Sequence, residues 1–116
     1  MKITHYSDID SVTMNNEMVK NVTGRILIGK ADGASNFCMR KFDIGPQGFT
    51  PRHAHDWEHE IFVLEGKGEI FIKDKWTDIT QGTVVYVPPN EDHQIRNTGD
   101  KEFSFLCLVP PQAPEM

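Results

Sequence analysis

The chain has 116 residues, 38% hydrophobic and 25% charged, a composition that fits one compact globular domain. No apolar run approaches the roughly 20 residues that span a bilayer as a helix, which argues against a membrane protein. Twelve Lys and Arg against 17 Asp and Glu leave a net charge of −5, and no basic stretch offers a surface to nucleic acid.

The opening residues, MKITHYSDIDS, contain no apolar h-region, so a cytoplasmic location is the expectation. Residues 1–35 read as an N-terminal arm with the first strands. One weak turn within residues 7–20 is the only helical candidate. Beyond it, glycine and proline punctuate short runs rich in β-branched and aromatic residues: RILIGK at 25–30, NFCMRKFDI at 36–44, EIFVLEG at 60–66 and GEIFIK at 68–73. TVVYVP at 83–88, DHQIRN at 92–97 and FSFLCLVP at 103–110 follow. Strands separated by turn signals at this spacing predict an all-β sandwich or barrel, with 111–116 as an extended tail.

In FSFLCLV, Phe103, Phe105 and Cys107 share one face, and Ser104, Leu106 and Leu108 the other. Both faces are largely apolar, as in a strand covered on both sides. Cys38 and Cys107 form no CxxC pair and read as two buried, reduced thiols.

Three of the five histidines crowd into RHAHDWEHE as His53, His55 and His59, and His93 lies in PPNEDHQIRN. Residues two apart on a strand share a face, so His53 and His55 can converge on one point. His59 has the same parity, and a loop at Asp56 and Trp57 can return it there. A neutral imidazole offers one lone pair to a metal and one N–H to a supporting acceptor. The spacing therefore favours a metal site over four solvated histidines.

At these residues the sequence resembles the cupin superfamily, in particular its small single-domain conserved-barrel members. The family's first motif, Gly-x5-His-x-His-x3–4-Glu-x6-Gly, is matched by His53, His55, His59 and Gly66. The second, Gly-x5-Pro-x-Gly-x2-His-x3-Asn, is matched by Gly82, Pro88, His93 and Asn97. Gln47 and Asn90 stand where the family has glycine, although Gly48 follows Gln47 and Asn tolerates a left-handed backbone. Where the family carries a Glu ligand, this chain has His59, with Glu60 as the alternative; strand parity favours His59.

The resemblance covers residues 36–110 and implies an all-β cupin barrel there, a double-stranded β-helix related to the jelly roll, assembled as a homodimer with residues 1–35 free to pack on the partner. It also implies one divalent transition metal per chain on His53, His55, His59 and His93, similar to the manganese-binding four-histidine members. Mn or Fe is expected first, with Zn, Ni or Cu as alternatives. Four neutral imidazoles leave a divalent ion at formal charge +2, a stronger Lewis acid than a site with one carboxylate. Trp57, Arg40, Phe105 and Cys107 are the candidate walls of a substrate pocket, with Arg40 as a cation for a substrate carboxylate.

The function this implies is a metal-dependent enzyme acting on a small chelating organic substrate, with dioxygenase or other oxidoreductase chemistry as the first expectation. A non-redox isomerase, lyase or decarboxylase is the alternative enzyme class. A non-catalytic module binding a sugar or other metabolite is the alternative outside enzymes. No acid or base for proton transfer stands out beyond Glu58 and Glu60.

Overall fold

The computed structural model describes all 116 residues as a barrel of nine antiparallel strands. They are β1 (Val12–Met14), β2 (Lys20–Ile28), β3 (Cys38–Phe49), β4 (His59–Glu65), β5 (Lys67–Ile72), β6 (Lys75–Thr80), β7 (Val84–Val87), β8 (Gln94–Asn97) and β9 (Phe103–Val109). The only helical turns are single 3-10 turns at Tyr6–Asp8 and Lys30–Asp32. No helix is long and apolar enough to cross a membrane.

One sheet runs β1-β2-β3-β9-β4-β7, and a second runs β8-β5-β6. Strand β3 belongs to both. From Cys38 to Ile44 it pairs with β9, and at Phe49 it pairs with Arg96 of β8. Between these stretches lie Gly45 and Pro46 and then Gln47, which takes φ +65. The left-handed residue is thus Gln47 itself, while Gly48 is needed for closeness. A Cβ on Gly48 would stand 2.6 Å from the Lys20 carbonyl oxygen. Asn90 takes φ +67 in the second motif, at the position where the family has glycine.

Strands β1 and β6 are additional to the runs read from sequence. Lys73 and Asp74 join β5 to β6 with φ +53 and +62, the signature of a two-residue type I′ hairpin turn. Neither residue is the Asn or Gly that normally announces such a turn.

The core lies between the two sheets. Ile61 and Val63 of β4, Phe103, Phe105, Cys107 and Val109 of β9, and Ile70 and Ile95 are all buried there. Their strand partners Glu60 and Phe62 face outward and are exposed. Asn97 closes the β8–β9 turn. Its side-chain amide donates to the Ile44 and Lys101 carbonyls at 2.8 Å each, and its oxygen accepts from the Gly99 N–H.

Phe103 is fully enclosed, and its ring stands 5.8 Å from that of Phe105. We expect Phe103→Ala to cost about 3–5 kcal/mol of stability, measured by urea denaturation. A loss below about 1 kcal/mol would mean that this end of the barrel is not packed as described.

Candidate metal centre

Three structural devices bring the histidines together. His53 and His93 face each other across an isolated antiparallel bridge, each N–H donating to the other's carbonyl at 3.1 and 3.0 Å. His55 lies two residues further on, held by the Asn90 N–H on its carbonyl at 2.6 Å. His59 opens β4, paired with Val87 of β7. One ligand-capable nitrogen from each of the four rings lies within 4.8 Å of the other three.

The protonation pattern suits a metal. His55 Nδ1 is 2.8 Å from the Trp57 carbonyl and His93 Nδ1 is 2.8 Å from the Glu91 carbonyl. A carbonyl oxygen only accepts, so both Nδ1 atoms carry the proton and both Nε2 atoms are left with lone pairs. His55 Nε2 and His59 Nε2 stand 2.9 Å apart. Two nitrogens bound at right angles to one ion, each about 2.1 Å from it, would be about 3 Å apart. The donor set therefore fits a transition metal.

Burial also favours the neutral form of His53, His55 and His59. Desolvation, reinforced by His93 and the Arg40 guanidinium, pushes His59 down to about 3. His53 is exposed as a residue, but its ring stands 4.9 and 4.8 Å from those of His55 and His93. Desolvation there, with those neighbouring rings, lowers it to about 4. His55 is lowered as well, again chiefly by burial.

The rings of His53, His59 and His93 line a cavity of about 220 Å³. Its other walls are mostly apolar, including Val22, Phe42, Ile61, Ile95 and Phe105. Arg40 and Cys107 also line it. Arg40 Nη2 donates to Cys107 Sγ at 3.1 Å, and that sulfur is 3.2 Å from His59 Nδ1. Burial raises the Cys107 thiol, so the sulfur stays protonated at neutral pH.

Of the residues expected in the pocket wall, Arg40, Phe105 and Cys107 line this cavity and Trp57 does not. The Trp57 indole stacks on the His55 ring at 4.1 Å, tilted by only 7°. Glu60 points to the outer face of β4, opposite His59, and is not among the grouped ligands. Partial desolvation and the neighbouring Glu58 carboxylate push Glu60 up to about 7. The cavity lining contains no Asp or Glu side chain.

The cupin domain family (Cupin_2) matches residues 40–109 of this chain. Glucose-6-phosphate isomerase of Thermococcus onnurineus is 36% identical over 94 residues, covering 71% of this chain and 50% of that protein. A 1-methylthio-D-xylulose 5-phosphate methylsulfurylase of Rhodospirillum rubrum is 28% identical, covering 66% and 52%. The chain thus spans about half the length of these curated relatives. Among solved structures, the polyketide cyclase RemF of Streptomyces resistomycificus superposes with a TM-score of 0.91 at 33% identity. That match covers 98% of this chain and 82% of RemF.

The histidine shifts carry a pH consequence. The folded protein holds His53 and His59 neutral well below 6.5, whereas the unfolded chain protonates them near 6.5. The unfolded state therefore binds more protons between about pH 6.5 and 4, and stability falls as pH drops through that window. We expect metal-free protein to melt at a lower temperature at pH 5 than at pH 7.5. The difference should shrink in a His53→Gln, His59→Gln double variant. An unchanged melting temperature would contradict the buried, neutral state of these rings.

Proposed function

The chain belongs to the cupin domain family, and on that premise we propose that it is a metal-dependent enzyme acting on a small organic substrate. The observation that carries this reading is the convergence of His53, His55, His59 and His93 beside a mainly apolar cavity. A divalent transition metal held there would supply a Lewis acid for a carbonyl or enol oxygen.

The chain's own residues support that chemistry in three ways. The apolar walls, Phe42, Ile61 and Phe105 among them, exclude water and so strengthen every charge interaction inside. Glu91 and Trp57 carbonyls hold the Nδ1 protons of His93 and His55 and orient both rings. Cys107 does the same for His59. A ligating His59 Nε2 needs its proton on Nδ1, and Arg40 can only donate, so the Cys107 sulfur is the acceptor within reach.

The lining has no Asp or Glu side chain, so protons would move through water or the substrate itself. We place first a non-redox reaction in which a carbonyl compound is polarised and rearranged or ring-closed. The relatives named as an isomerase and a cyclase point the same way. Dioxygenase chemistry is the second reading. It draws support from the four-donor set, which leaves two positions of a six-coordinate ion for substrate and O₂.

Elemental analysis of untagged protein should find about one transition metal, Mn, Fe, Zn, Ni or Cu, per chain. We expect it to be lost in His59→Ala and retained in Glu60→Ala. Cys107→Ala should weaken metal affinity by about 10–100-fold in chelator competition, with most of it recovered in Cys107→Ser. Metal lost from Glu60→Ala but kept by His59→Ala would overturn the four-histidine assignment. Metal-free wild type would favour a binding module. Once a substrate is in hand, turnover under strict anaerobiosis selects the non-redox reading, and its loss selects the dioxygenase.

We also read the chain as a homodimer. Phe62, Val84 and Tyr86 lie exposed on the outer face of paired β4 and β7, an apolar surface suited to a second copy. Light scattering should give twice the 13.2 kDa chain mass, and Phe62→Glu with Tyr86→Glu should return it to the monomer value. A wild-type monomer at micromolar concentration would sink this assembly.

A further inference from the structure

Arg40 is the one buried cation of this chain with no anion beside it. The five ion pairs join Lys2 to Asp32, Arg25 and Lys41 to Asp43, Arg52 to Asp92 and Arg96 to Glu69. Arg40 takes part in none of them. Only 7% of it is exposed, its one hydrogen bond runs from Nη2 to Cys107 Sγ, and Nε has no partner at all. The Phe42 ring lies 4.9 Å from the guanidinium carbon, a partial compensation.

A guanidinium stays charged in a protein, and burying a charge without a partner is destabilising. The cavity that Arg40 lines offers no Asp or Glu side chain to meet it. The one hydroxyl in the lining, that of Thr50, is already engaged by the Ile95 backbone N–H and carbonyl. What is left for a ligand is one cation, the histidine centre and apolar wall.

From this we infer the substrate class of the site, resting on the metal-dependent reading above. The ligand is an unphosphorylated, apolar-bodied compound with two oxygen functions: a carbonyl, enol or phenol oxygen for the histidine centre and a carboxylate or enolate for Arg40. A phosphorylated sugar fits poorly. With the histidine centre taken by its carbonyl oxygen, its phosphate dianion would be left a single guanidinium, and each hydroxyl against Val22, Ile61, Ile95 or Phe105 would go without a hydrogen-bond partner. The inference therefore separates this chain from the sugar phosphate named for the isomerase relatives.

Isothermal titration calorimetry with three probes tests it: 1-hydroxy-2-naphthoate, 1-naphthol and glucose 6-phosphate. Metal-loaded wild type should bind the naphthoate at least about tenfold more tightly than either of the others, a gap of about 1.4 kcal/mol. Arg40→Met should abolish the preference for naphthoate over naphthol without changing naphthol affinity. Metal content and thermal melts check that this variant is folded and loaded. Arg40→Lys keeps the charge and should retain part of the preference.

The same titrations on metal-free wild type separate the two proposals, because Arg40 and its cavity do not need the ion. Naphthoate preference there, in a protein that never takes up metal, would sink the metal reading and leave the ligand class standing. Equal binding of naphthoate and naphthol, or tighter binding of glucose 6-phosphate, would overturn the ligand class even in a protein that holds its metal.

Discussion

The candidate site depends on one pair of backbone hydrogen bonds. His53 and His93 exchange N–H and carbonyl across an isolated bridge at 3.1 and 3.0 Å. In an antiparallel pair that exchanges both bonds, the two side chains must project to the same side. Two chain segments far apart in sequence are thereby committed to presenting their rings to one point, with centroids 4.8 Å apart. His55 inherits that face from its spacing to His53. His59 reaches it by a different route, as the first inward residue of β4 ahead of Ile61 and Val63.

Period-two patterning carries most of the legible information in this chain. It separates His59 from Glu60 by parity alone, and the strand places them on opposite faces. The alternation in β9 likewise groups Phe105 with Cys107 on one face, and the packing of the barrel turns that face inward. Patterning fails where backbone geometry departs from residue preference. Gly45 and Pro46 read as a strand end, yet β3 continues through them to Phe49, using the bend to change sheets. The β5–β6 hairpin is masked because Lys73 and Asp74 adopt the left-handed conformation without glycine or asparagine. Trp57 illustrates a third limit. Its loop is not periodic, so no spacing rule foretells a stack on His55.

Strand β3 shows how one sequence serves two electrostatic environments. Lys41 and Asp43 point outward into a closed set of partners: Asp43 receives Lys41, Arg25 at 3.2 Å and the Ser104 hydroxyl at 2.6 Å. The Tyr6 ring covers Lys41 at 4.4 Å. Arg40, between Met39 and Lys41 in sequence, points the other way and finds sulfur, imidazole and an aromatic ring instead of an anion. Natural sequences tend to break the rule of paired buried charge where function asks for it. Here the break sits beside the histidine centre, and on the adjacent residue the rule is kept.

The stack of Trp57 on His55 has an entropic meaning. One residue restrains that imidazole twice, through its carbonyl on Nδ1 at 2.8 Å and its indole against the ring face at 4.1 Å. Freezing a side chain at the moment of binding costs about 0.5–1.5 kcal/mol. In this loop the rotational freedom of His55 is surrendered when the chain folds. An ion arriving at Nε2 meets a ring already in position, and the folding of the barrel has borne the cost of ordering it.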